Sequence, residues 1–114
     1  MNEYLLILRG GEDIRALKSP EEMQQHMQKW HHWFTSMAND GVFVAGQPLQ
    51  QEAKSLINMG KQVIDRPLAE GKEMVGGYII VRASNLDDAT ELAKGCPGFE
   101  HDCTIEVREI MSLG

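Results

Sequence analysis

Nothing in this sequence gives a membrane or a nucleic acid an obvious hold. Its apolar stretches fall far short of the ~20 residues a spanning helix needs. The 11 lysines and arginines, set against 17 acids for a net charge of −6, form no basic stripe that would neutralise phosphates. Met1 leads within a few residues into an apolar run, without the segments of a signal peptide. The expectation is therefore a cytoplasmic protein with neither nucleic acid nor membrane as a partner. Cysteine is scarce: Cys96 and Cys103 are too few for a disulfide framework and fit free thiols in that compartment. A nucleophile elbow, a Walker loop, a dinucleotide fingerprint, a zinc-protease helix, a paired CxxC and a defensible internal repeat are all missing, so no cofactor is expected. Gly76-Gly77 is no phosphate loop, because a strand rather than a helix N-terminus follows it.

What is present is an ordinary globular composition, 42% apolar and 25% charged over 114 residues. That length makes one domain, residues 1–114, whose core is small enough for a partner subunit to help. Glu3 to Arg9 (EYLLILR) is a short apolar run without helical period and reads as a strand. A turn through GGEDIRALK leads to Ser19-Pro20-Glu21-Glu22, the chemistry of a helix start: a capping serine, proline at the first position and an acid completing the capping box. Met23, Met27, Trp30, Phe34 and Met37 then recur at spacings of four and three, which predicts an apolar stripe on a helix ended by Asp40-Gly41. Val42 to Ala45 is a brief strand broken by Gly46-Gln47-Pro48, and KSLINM and KQVI flank Met59-Gly60 as a hairpin.

Met74 to Arg82 is the clearest strand, with Gly76-Gly77 marking a bulge or a close backbone approach. Ser84 and Asn85 are capping candidates for a second helix with the stripe Leu86, Ala89, Leu92 and Ala93, closed by Gly95 and Pro97. Thr104 to Ile110 is a final alternating strand. Strand-helix-strand twice, with an inserted hairpin, combines most simply as an α+β fold of the ferredoxin-like β-α-β-β-α-β plan: an antiparallel sheet with both helices on one face. LLIL and YIIV are near-continuous apolar runs, which suggests cover on both sheet faces. A second copy packed sheet to sheet supplies that cover, so a symmetric homodimer through the open face is expected.

The stretch AEGKEMVGGYIIVRASNLDDATELAKGCP, the terminal IEVREI and the helix MQKWHHWFTSMANDGVFVAGQPL together resemble the YCII-related family, in the branch known for a DGPF motif. The resemblance covers nearly the whole chain. It implies a dimeric α+β barrel of ferredoxin-like subunits. Functionally it implies less: members are largely uncharacterised, some are fused to sigma-factor-like regions, and an enzymatic role has been suggested for the other branch from a helix histidine paired with an aspartate. Here Trp30 stands near that histidine's place and Cys96 at that aspartate's place. The DGPF corner appears as Asp65-Arg66-Pro67-Leu68, with arginine for glycine and leucine for phenylalanine.

Asp65, with Arg66, Glu70, Lys72 and Glu73 close behind, can line a polar pocket in which the carboxylate is a base and Arg66 or Lys72 holds an anionic small molecule. The competing reading is a plain turn followed by a solvated Lys72–Glu73 pair. At about 100° per residue His26 falls beside Trp33 and Met37 at one edge of the stripe, His31 at the other, and His32 on the solvated face. His26 is thus the candidate proton shuttle, against the alternative of a structural hydrogen bonder. Trp30 and Trp33 can wall a ligand or simply pack the core. Cys96, His101 and Cys103 bring only three local ligands where a closed zinc site wants four, so no metal is expected; a redox-active thiol stays open beside plain free cysteines. The function expected is binding of an unidentified small polar molecule, with acid/base chemistry or, alternatively, metabolite sensing as its use.

Overall fold

The computed structural model describes residues 1–11 and 19–113. The turn expected over GGEDIRALK lies, apart from Gly10 and Gly11, outside them. In chain order the elements are β1 (Asn2–Gly10), α1 (Pro20–Asn39), β2 (Phe43–Pro48), β3 (Ser55–Ile57), β4 (Gln62–Ile64), β5 (Val75–Ala83), α2 (Leu86–Ala93) and β6 (Cys103–Glu109), with 3-10 turns at Gly71–Glu73 and Pro97–His101. β2, β5, β1 and β6 pair in that order as an antiparallel sheet, and β3 and β4 pair separately. The architecture is the ferredoxin-like α+β plan with an inserted hairpin.

Local chemistry sets the helix ends. Ser19 Oγ accepts the Glu22 N–H at 3.1 Å with Pro20 at the first position, and Asn85, rather than Ser84, caps α2 by accepting the Asp88 N–H at 2.8 Å. One helix-side core then forms from Tyr4 and Leu6 of β1, Ile79, Val81 and Ala83 of β5, Trp33 and Met37 of α1, and Ala89 and Ala93 of α2, with Cys96 after it. The buried face of α1 is turned from the expected stripe. Its buried residues are His26, Trp33 and Met37, whereas Trp30 and Phe34 are half-buried and Met27 is 51% exposed. A bond to Trp30 described below offsets part of the cost of burying the His26 ring, and Met27 gives up its place.

Two strands differ from expectation for physical reasons. β2 continues through Gly46 to Pro48 because it is an edge strand, where proline's missing N–H is harmless. Gly46 is needed there: a Cβ would stand 3.2 Å from both Ile79 Cγ1 and Tyr78 O. In β5, register slips between Leu8 and Arg9 opposite Gly77 and Val75, the bulge expected at the glycine pair. The hairpin turn carries positive φ at Asn58 and Met59 as well as at Gly60.

Along β1 and β5 burial alternates. Leu5, Ile7, Tyr78 and Ile80, on the face away from the helices, are half-buried, with Leu5 opposite Ile80 and Ile7 opposite Tyr78. The ion pairs Arg9–Glu106 (3.3 Å) and Arg82–Glu3 (4.0 Å) flank this apolar band.

Candidate functional site

The sequence candidates fall at two separate places. The first is built on α1 and the turn after α2. Cys96 opens that turn by accepting the Gly98 N–H at 3.4 Å, Pro97 holds its first position, and Asp102 at φ 61 redirects the chain into β6. Lys29 Nζ donates to both carboxylate oxygens of Glu100, at 3.0 and 2.9 Å, and clasps the turn onto α1. Beneath the clasp lies His26, 6% exposed, with the His101 ring edge-on to it at a centroid distance of 4.5 Å. Its Nε2 accepts the Trp30 indole N–H at 2.9 Å. That bond assigns the remaining proton of the neutral ring to Nδ1, a buried donor with no hydrogen-bond partner among the described residues.

Burial pushes the His26 imidazole below its ordinary range, helped by His101 and Lys29 and opposed by Glu100. Glu100 itself is lowered, first by the Lys29 hydrogen bond. Burial raises both thiols, Cys96 to about 12. No group of three His, Cys, Asp or Glu side chains that could hold a metal exists among the described residues. An open groove of about 780 Å³ runs alongside, between α1 and the turn, lined among others by Lys29, His32, Trp33, Lys94, Phe99 and Glu100. It lies between helical elements.

The second place is the foot of the hairpin. Asp65, its side chain 77% exposed, accepts Lys54 Nζ at 2.6 Å. Arg66 Nη1 donates to the Pro67 carbonyl at 2.9 Å and stands 4.0 Å from Glu70, while Ser55 Oγ pins the Arg66 carbonyl at 2.7 Å. Asp65, Arg66 and Pro67 line a hollow of about 590 Å³ with Gln51, Glu52, Ala53 and Lys54. Lys72 and Glu73 lie further along, both exposed and not paired with each other; their backbone meets the sheet, where Arg9 Nη1 donates to Glu73 O at 2.8 Å. Among the described residues no hydrogen bond, ion pair or ring contact joins Asp65 to His26. Sequence reasoning missed Lys54 and Glu52 as neighbours of the corner, and Lys29 and Glu100 as the clasp over His26. His101 was singled out beside the thiols, but only folding shows that it faces His26.

The YCII-related domain family matches residues 3–113. The chain is a YCII-related protein. A comparison with curated proteins gives no match. No helix among the described residues is long and apolar enough to cross a membrane. In this YCII-related protein Trp30 and Cys96 are the residues expected near the places of the histidine and aspartate suggested as functional in the other branch. Both belong to the first place, where Trp30 hands its N–H to a histidine one turn earlier.

Proposed function

We propose that this YCII-related protein, as a member of the DGPF branch, binds a small polar molecule at the foot of its hairpin and acts as a homodimer in the cytoplasm. The observation that carries the binding reading is the hollow lined by Asp65 and Arg66, where two carboxylates, Glu52 and Asp65, and two cations, Lys54 and Arg66, face one space. Such a mixed lining suits a ligand bearing both an anionic group, for Arg66 or Lys54, and a cationic or hydrogen-bonding one, for the acids. Glu70, Lys72 and Glu73 extend the polar rim. Trp33 lines the separate groove, while Trp30 donates its N–H to His26. The apolar band of Leu5, Ile7, Tyr78 and Ile80 supports a second copy against the open sheet face, since flanking charges of both signs can pair across a two-fold axis.

Exposure of Asp65, and its pairing with Lys54, favours binding or sensing over its use as a general base with His26 as shuttle. A thermal-shift screen of small metabolites tests this. A ligand that raises the melting temperature of the wild type, loses its effect on Arg66→Ala and is recovered unchanged supports the binding reading. Ligands that shift both proteins equally refute this site, and turnover abolished in Asp65→Asn would replace binding by catalysis. Light scattering tests assembly: a dimer is expected at micromolar concentration and a monomer for Ile80→Glu, whereas a monomeric wild type refutes the sheet-to-sheet arrangement.

A further inference from the structure

The two cysteines converge on one glycine. Cys96 follows α2 and Cys103 opens β6, and between them the chain makes a single 3-10 turn and a left-handed step at Asp102. A Cβ built on Gly98 would stand 3.4 Å from both sulfurs and 3.2 Å from Cys103 Cβ. Gly98 is not among the glycines with positive φ, so its missing side chain serves this close approach rather than a backbone angle. The Gly98 N–H holds Cys96 Sγ at 3.4 Å, while Cys103 Sγ donates only weakly, at 3.6 Å, to the carbonyl of Thr104. The pair is graded in access: Cys96 is 4% exposed, and Cys103 is half-buried and reachable from solvent. The ligand-binding reading uses neither.

We propose that Cys96 and Cys103 form an oxidation site, which closes an intramolecular disulfide by exchange with a low-molecular-weight disulfide such as oxidised glutathione. The Cys103 thiol gives its proton to solvent, and its thiolate attacks one sulfur of the small disulfide; that S–S bond breaks and the first small thiol leaves, taking up a proton. Cys96 then loses its proton, attacks Cys103 Sγ in the mixed disulfide and expels the second small thiol. Two protein thiols are oxidised to one disulfide and one small disulfide is reduced to two thiols, with no other reactant. Burial raises both protein thiols, so exchange is slow at neutral pH and quickens roughly tenfold per pH unit as thiolate accumulates. The bridge ties the end of α2 to the start of β6 across the turn that carries Glu100 and His101, fixing the clasp over His26.

The test uses the full, reduced chain with oxidised glutathione at neutral and mildly alkaline pH, followed by acid quench, unfolding, alkylation and intact mass measurement. The wild type is expected to lose two hydrogens, to keep no glutathionyl group and to resist alkylation, more rapidly at the higher pH. Cys96→Ser is expected to trap one glutathionyl group on Cys103, and Cys103→Ser to keep Cys96 reduced. Wild type that remains doubly alkylated at both pH values, that retains glutathione, or that links two chains instead of closing within one would overturn the proposal. The wild-type masses decide it even if a variant fails to fold.

Discussion

Acidification below neutrality should destabilise this protein through one side chain, His26. In the folded chain its Nε2 accepts the Trp30 N–H, and burial holds the imidazole below the ordinary histidine value of ~6.5. Protonation would turn Nε2 into a second donor facing the indole N–H, and would place a cation near His101 and Lys29, offset among the described residues by Glu100. The sign follows from linkage. Below pH ~6.5 the unfolded chain takes up a proton that the folded one refuses, so stability is full above that pH and falls as pH drops toward the folded value, by at most ~1.4 kcal/mol per unit.

Urea unfolding at fixed protein concentration, followed by tryptophan fluorescence from pH ~7.5 to ~5.5, measures this directly. His26→Leu is the control. It leaves the Trp30 N–H without its acceptor and should cost about 1–3 kcal/mol at the upper pH, but it removes the titrating group and so flattens the pH dependence. His31 and His32 are exposed, present in both proteins, and cancel in the comparison. Glu100, whose carboxyl is lowered by Lys29, contributes its own loss only as pH falls below the usual carboxylate range, outside this window. Parallel pH profiles for wild type and His26→Leu would refute the assignment of the shift to this imidazole.

Other substitutions probe the packing that holds the candidate site. Gly95→Ala places a Cβ 2.9 Å from Trp33 Nε1 and 3.2 Å from Cδ1, and should lower stability by about 1–3 kcal/mol in urea titrations. Val81→Ala, at a fully buried position, should cost about 1–3 kcal/mol, with a lower urea midpoint and an unchanged m-value. Asn85→Ala removes the cap of α2 and should cost ~1 kcal/mol, read the same way. Lys54→Met breaks an exposed ion pair with Asp65 and should change stability by less than ~1 kcal/mol, while weakening any ligand found in the thermal-shift screen.

How much of this was legible depended on how local the cause was. Ser19-Pro20-Glu22 and Asn85 announce helix starts because a cap is made within three residues of sequence. LLIL and YIIV announce strands because a short apolar run without helical period suits a sheet, and burial along β1 and β5 then alternates residue by residue. The spacing places His26 beside Trp33 and Met37 at one edge of the α1 stripe, but does not show that burial centres on this edge, which follows from Trp30 one turn later making the polar ring buriable. Pro48 looked like a strand breaker, yet only the sheet order shows that β2 is an edge. The clasp between Lys29 and Glu100 spans 71 residues of sequence, a distance over which no local pattern speaks.

The same contacts limit what the helix-side cluster can do chemically. A general base needs a lone pair within reach of the proton it takes. With His26 in this cluster stand the Trp30 indole, which donates but does not accept, and the Cys96 thiol, pushed up to about 12, which stays protonated at neutral pH. The imidazole lone pair of His26 is engaged by Trp30, and the other ring nitrogen carries the proton. For His26 to accept a proton at Nε2 the Trp30 bond must break, leaving an indole N–H stranded at a cost of about 1–3 kcal/mol. Donation from Nδ1 needs no such break, because that N–H is buried without an acceptor and a carbonyl or carboxylate brought against it would satisfy it. As the chain stands, the His26 lone pair is held by Trp30, so taking a proton at Nε2 requires that bond to break.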